Sequence, residues 1–191
     1  MIKDERISTL TLAILCLISR EPHSAYQLRK AFSTTPMGHF SSSPGAVYPA
    51  LRRIEAGGLI RGRTANRKTL RPKRMYEITA KGMKVLKGQL RLPVTRDDVV
   101  SHMDDLMLRF AFMERLLDRN EILAFLMGFE RETEGYLDYL KELRGAIGEH
   151  LSGCEDLAFD HGLASYRMNL NWARKAIAEI SPTKGRESRR K

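Results

Sequence analysis

Around Gly57-Gly58 the chain must change its backbone period. On one side, "SSSPGAVYPALRRIEAGGLI" (41–60) places Val47, Leu51 and Ile54 at i, i+4 and i+7, the spacing of a core-facing helical stripe. On the other side, "LIRGRTANRKTLRPKRMYEIT" (59–79) reads as two short strands, 59–63 and 74–79, around a basic tip. Either glycine of the pair can supply the left-handed residue that stops the helix. Ser43 is the expected N-cap, and Pro44 suits the first helical position, where its missing N–H costs nothing. Pro49 is the anomaly. Inside such a helix it would leave the Gly45 carbonyl without its amide and bend the axis.

The segments on either side fill in a pattern. Residues 9–20 set Leu10, Ala13, Ile14, Leu17 and Ile18 on one stripe, and Glu21-Pro22 ends that helix. Ser24 with Gln27 three residues on is a capping box opening a second helix, whose inner face holds Leu28, Ala31 and Phe32. "STTPMGHFSSSPG" is a loop by composition. Thr79 caps a helix with Met83, Leu86 and Leu90 inward. Helix, helix, helix, hairpin, helix is the order of a winged helix-turn-helix, assigned to residues 1–92.

Past Pro93 the spacing narrows. Val99, Met103, Leu106, Phe110, Met113 and Leu117 alternate by fours and threes, as do Phe159, Leu163, Tyr166, Leu170, Ala173, Ile177 and Ile180. Between them 123–151 carries an interrupted version of the same pattern. Seams with a 3.5-residue repeat suit coiled-coil packing. They predict a helical bundle over 93–181 that also pairs with a second copy, a purely intramolecular bundle being the alternative. The expected dimer-interface residues are Val99, Met103, Leu106, Phe110, Met113, Leu163, Tyr166, Leu170 and Ile177. Residues 182–191 read as a basic, flexible tail. The expected fold class is therefore mainly α: a winged helix-turn-helix with a small β-hairpin wing, followed by a helical dimerisation and effector domain.

Charge divides at the same boundary. Residues 1–92 hold 18 Lys and Arg against 5 Asp and Glu, whereas 93–181 hold 10 against 17. A basic first half predicts a polyanionic partner, and an acidic second half a different task. The excess is densest in the hairpin, at Arg61, Arg63, Arg67, Lys68, Arg71, Lys73 and Arg74, with no acidic residue among them. A surface kept basic only for solubility would mix signs. Such a wing suits phosphates or the electronegative minor groove of double-stranded DNA.

With Val47, Leu51 and Ile54 inward, the third helix turns Gly45, Pro49 and Arg52 outward, flanked by Ala46 and Arg53 on one edge and by Tyr48 and Glu55 on the other. Recognition helices enter the major groove by their N-terminal half, and small residues there allow close approach to base edges. Arg52 or Arg53 suits a guanine edge or a phosphate. Free amides near Ser43 and Gly45 favour a phosphate. The hydroxyls of Tyr26 and Tyr48 suit the DNA backbone, and half-buried packing with a wet tip fits these tyrosines equally.

"LTLAILCLISREPHSAYQLRKAF", "SPGAVYPALRRIEAGGLI" and "RMYEITAKGMKVL" resemble the PadR family of bacterial transcriptional regulators, most tellingly over 48–60. The acidic half, with "DDLMLRFAF", is similar to the longer subgroup of that family in general pattern. The resemblance implies a homodimer joined by its C-terminal helices. It also implies repression at an operator, relieved by a small aromatic or hydrophobic effector. Carried over by position, it implies DNA-facing roles for Tyr26, Tyr48 and the start of the 43–55 helix. A non-specific, architectural nucleic-acid binder is the competing reading of the same basic surface.

Catalytic chemistry is not expected. No Ser-His-Asp, P-loop or GxGxxG pattern occurs, and no cofactor is implied. His150, Cys154, Asp156, Asp160 and His161 cluster in sequence, but Gly153 and a helix break spoil a shared metal-binding face. Trp172, the sole tryptophan, lies beside the last seam and suits interface packing more readily than stacking on an aromatic effector. Cys16 and Cys154 form no disulfide framework, and Cys16 lies in an apolar run. That run, 10–18, is too short to span a bilayer and makes a poor signal peptide. A cytoplasmic, nucleoid-associated protein with no membrane partner is the expectation.

Overall fold

In the computed structural model, which describes residues 6–34, 45–65 and 73–181, the first helix α1 (Thr9–Arg20) starts at Ser8, whose side chain accepts the Thr11 amide. Seven consecutive residues, Leu12 to Ile18, are buried. The predicted stripe therefore undercounts this helix. It is apolar all round because α3, α4 and β3 each pack against it. Cys16 lies within it, and burial pushes its thiol up to about 12, so it serves as a small apolar side chain.

A two-residue strand β1 (His23–Ser24) precedes α2 (Ala25–Thr34). The Ser24–Gln27 box forms as expected: the Ser24 amide donates to Gln27 Oε1 at 2.8 Å, and the Gln27 amide donates to Ser24 Oγ at 3.3 Å. The strand is not foreseeable from the residues, because two positions carry no periodicity. It pairs antiparallel with β3 (Lys73–Ile78), which also pairs with β2 (Ile60–Ala65), giving a sheet of order β1-β3-β2. Thr79 caps α4 (Ala80–Arg91) by accepting the Gly82 amide, and Leu86 and Leu90 are buried.

The third helix α3 spans Val47–Ala56, with Ala46 at its N-cap and no side-chain cap. Ser43 and Pro44 lie outside the described residues. This start corrects the reading of Pro49. The first intrahelical bond runs from the Ala50 amide to the Ala46 carbonyl at 3.1 Å. Pro49 thus sits in the first turn, one residue before any amide is needed, and neither a lost bond nor a kink follows. Val47, Ala50, Leu51 and Ile54 are buried. At the other end Gly58 takes φ 72°, the Gly58 amide donates to the Glu55 carbonyl and the Leu59 amide to that of Ile54. This Schellman arrangement identifies Gly58 as the left-handed stop.

The chain divides into two compact units, Met1–Leu92 and Pro93–Lys191. In the second, the expected single helix over 99–117 is two: α5 (Arg96–Ser101) and α6 (Met103–Met113). His102, at φ −134° and ψ 36°, breaks the run. At its other end α5 opens with a capping box, in which the Asp98 carboxylate accepts the Thr95 amide. Two long helices follow, α7 (Arg119–Ile147) and α8 (Gly153–Ile180), joined by a short 3-10 turn at Gly148–His150. They form an antiparallel hairpin. Arg144, near the end of α7, pairs with Asp156 and Asp160 early in α8. Arg174, near the end of α8, pairs with Glu130 and Glu134.

Leu137, Leu163 and Leu170 form the hairpin core, with Leu140, Phe159 and Tyr166 against it. Val99, Leu106 and Met113 are also buried. Five of the nine expected interface residues are therefore already covered in a single copy; Met103, Phe110, Tyr166 and Ile177 remain half-buried. A 3.5-residue repeat marks a seam without saying which helix lies across it, and here α7 and α8 serve each other. Leu170→Ala should accordingly cost about 2–5 kcal/mol of unfolding free energy, as truncating a buried leucine does. Urea denaturation at several protein concentrations checks this. A loss that varies with concentration would return Leu170 to an interface between copies.

Candidate nucleic-acid interface

Helix α3 presents its polar face as the burial of its apolar one dictates. Gly45, Pro49, Arg52 and Arg53 are exposed, and Ala46 is partly covered. Neither Arg52 nor Arg53 forms an ion pair with a described residue. Both cations are thus available to a partner, on a face that Gly45 and Ala46 lead into and whose first turn exposes the Pro49 ring beside Tyr48.

Beside this face lies a groove of about 720 Å³, lined among others by Ser24, Tyr26, Tyr48, Lys73, Arg74 and Tyr76. It forms where the N-termini of α2 and α3 meet β3. Tyr26 is 64% exposed and Tyr48 49%. Each ring therefore keeps surface open to the groove. Lys73 is exposed, and the Arg74 guanidinium lies 5.7 Å from the centre of the Tyr76 ring. The groove therefore combines phenol rings with two cations, a composition suited to a sugar-phosphate strand.

The wing is less uniformly basic in space than in sequence. The β2–β3 register sets Arg61 opposite Glu77, and that carboxylate lies 3.5 Å from both Arg61 and Arg63. Arg74 donates to Glu55 at 2.7 Å. The inference that no acidic residue interrupts the cluster is thus corrected: Glu77 and Glu55 lie outside the 61–74 interval but reach it through strand pairing and helix packing. Arg67, Lys68 and Arg71 lie outside the described residues.

Sequence reasoning places Glu55 on the edge of the outward face but misses its tie to the wing. Its Oε1 atom accepts the Gly62 amide at 2.8 Å as well as Arg74. Hydrogen bonding from Arg74 is the main cause that holds its carboxyl below the ordinary value of 4.5. The sequence signals were a lone acid just before the glycines and its place within the 48–60 stretch, and neither names a partner.

In the second unit Trp172 is half-buried. Phe110 meets it edge-on at 5.1 Å and Phe129 at 5.5 Å. A cavity of about 610 Å³ adjoins this cluster, lined by Phe110, Met113, Leu117, Ile122 and Ile180 together with Arg119 and two glutamates. Among the described residues no three His, Cys, Asp or Glu side chains gather as a metal site. No described helix is long and apolar enough to cross a membrane.

Because the folded-state pKa of Glu55 is depressed, the tie it makes is at full strength above pH 4.5 and is lost as pH falls through the folded value. Hydrogen exchange at the Gly62 amide, corrected for intrinsic pH effects, should show protection that fades only below that range. Protection unchanged under acid conditions that titrate the carboxylates would contradict the assignment.

Residues 14–88 match the family described as the transcriptional regulator PadR-like family, and residues 104–181 match the one described as virulence activator alpha C-term. No curated protein matches the chain. Among solved structures, Bacillus subtilis PadR in complex with operator DNA is 23% identical, covers 92% of this chain and 99% of its own, and has a TM-score of 0.43. The PadR-like transcriptional regulator BC1756 from Bacillus cereus is 24% identical, with coverages of 90% and 97% and a TM-score of 0.39. Bacillus subtilis PadR in complex with p-coumaric acid is 22% identical, with coverages of 91% and 99% and a TM-score of 0.41.

Proposed function

Since this chain belongs to the PadR-like family of transcriptional regulators, we propose that it is a homodimeric repressor that reads a pseudo-palindromic operator through α3 and the wing. The observation that carries the reading is the exposed face of α3. Small residues lead it, Arg52 and Arg53 are without described ion-pair partners, and the tyrosine-lined groove lies beside it. The helix would enter the major groove with Arg52 toward a base edge, while Tyr26, Tyr48 and Lys73 hold the backbone. Arg61 and Arg63, each shared with Glu77, would add phosphate contacts on the wing. A purely electrostatic binder has no use for a small-residue front, and this favours sequence reading over an architectural role.

Dimerisation would use the acidic second unit. Leu157 and Met168 of α8 are 70% and 64% exposed, and with half-buried Tyr166 and Ile177 they leave apolar surface for a second copy. An aromatic or hydrophobic effector would occupy the 610 Å³ cavity beside Phe110, a volume in the range of small-molecule sites. Trp172 would then sense the ligand through Phe110 rather than stack on it.

Titration on the protein's own promoter and on scrambled DNA, at two salt concentrations, tests the reading. Specific binding should protect two half-sites about 34–36 Å apart, and equal affinity for both DNAs would favour the architectural alternative. Arg52→Ala should weaken operator binding by about 1–3 kcal/mol and scrambled binding less; an equal loss on both would make Arg52 a phosphate contact only. A phenolic acid or a hydrophobic cation that releases the operator should change Trp172 emission. Release with no change in emission would remove the cavity from the effector assignment.

A further inference from the structure

The Glu55 carboxylate stands on a surface that, on the proposed reading, faces a polyanion. Simple electrostatics makes it a liability there, since it repels phosphate and occupies one of the wing's arginines. Its geometry gives it another use. One oxygen, Oε1, accepts the Gly62 amide of β2 at 2.8 Å and the Arg74 guanidinium of β3 at 2.7 Å. Strand β2 is the edge of the sheet, and its Gly62 amide goes to a helix side chain instead of another strand. Three of the elements that would touch DNA are thus joined at one atom: α3, which carries Arg52, and both strands of the wing.

Gly62 fits the same node. A Cβ at this position would collide with the Arg74 guanidinium and lie 2.8 Å from Glu55 Oε1. The absence of a side chain is what lets the carboxylate and the guanidinium close over the strand. The Arg74 guanidinium also lies 5.7 Å from the centre of the Tyr76 ring, which lines the groove with Tyr26 and Tyr48.

We infer that Glu55 is a positioning residue for DNA binding: it fixes the wing against the recognition helix so that both meet one stretch of duplex in a single geometry. This rests on the reading of α3 and the wing as the DNA-binding surface. Glu55 touches no DNA itself. It trades unfavourable charge for order, as the α3–wing connection would otherwise depend on the Gly57-Gly58 turn, the Thr79 and Lys81 bonds that close it, and the hydrophobic packing beneath it. The sign of its effect on affinity is therefore opposite to what its charge implies.

That opposition is the test. Glu55→Ala removes a negative charge from the surface. As a mere neutraliser of Arg74, its loss would tighten DNA binding and steepen the salt dependence. As a positioning residue, its loss should weaken operator binding roughly tenfold and flatten the salt slope by about one for each phosphate that the wing no longer reaches. Glu55→Gln keeps an acceptor for Gly62 and Arg74 and should restore most of the affinity. Gly62→Ala changes no charge but displaces the same carboxylate and guanidinium, and should weaken operator binding in the same direction. It also keeps the test alive if Glu55→Ala fails to unfold cooperatively in a thermal melt.

Amide hydrogen exchange on the free, full-length protein gives a readout independent of DNA: the Gly62 amide should exchange faster in Glu55→Ala while α1 amides do not. Folded Glu55→Ala protein that binds the operator as tightly as the wild type, or more tightly, would overturn the inference, as would unchanged exchange at Gly62. Failure of the wild-type protein to prefer its operator would instead overturn the DNA reading, leaving the exchange result to judge the tie alone.

Discussion

A single carboxylate oxygen, Glu55 Oε1, is where helix α3, the edge strand β2 and the central strand β3 meet. Much of the first unit is arranged so that this meeting can occur. The Schellman stop at Gly58 turns the chain out of α3 at once, and Ile60, 2% exposed, anchors β2 in the core within two residues. Lys81 donates to the Gly57 carbonyl at 2.8 Å, so α4 helps close the same corner. Thr79 accepts the Gly82 amide and donates to the Gly58 and Leu59 carbonyls, placing the start of α4 against that turn. The outcome is a recognition helix and a wing whose relation is set by directed bonds as well as by apolar packing.

The electrostatics follows a related logic. Seven basic residues in a row of fourteen would repel one another in any fold. Glu77 lies between Arg61 and Arg63, and Glu55 holds Arg74. The side chains concerned are well exposed, so these pairs add little stability. Their effect is on geometry and local field: they relieve repulsion within the wing and leave Arg52, Arg53 and Lys73 without such partners among the described residues. In the second unit the acidic residues are similarly engaged, with Arg174 and Arg144 each bridging two carboxylates across the α7–α8 hairpin. An excess of negative charge there is partly a bundle's own cross-helix ladder.

Much of this is legible in the residues. The helix, hairpin and cap assignments of the first unit rest on signals confined to a few neighbours: Ser24 with Gln27, Thr79 with Gly82, the glycine pair, the alternation beyond it. Those interactions form within one or two turns of chain and survive into the fold. Readings that fail depend on something distant. Pro49 is anomalous only if the helix starts at Ser43; with Ala46 as the N-cap it falls where no amide is used. The 99–117 seam reads as continuous because its spacing is, while the break at His102 leaves that spacing untouched. That Leu163 and Leu170 pack within one copy is likewise invisible in the spacing, because a seam has no label for its partner.

The sequence by itself determined the order of elements in the first unit, the inward face of α3 and the basic character of the wing, since each depends on local periodicity, capping or composition. Only the tertiary structure decided that α1 is buried on every side, that α7 supplies the partner of the α8 seam, and that Glu77 and Glu55 enter the basic cluster from outside its interval. The reason is common to all three. Residues 14, 16 or 19 positions apart, or on different elements altogether, become neighbours only when strands take a register and helices choose which faces to share. No spacing along the chain records that choice.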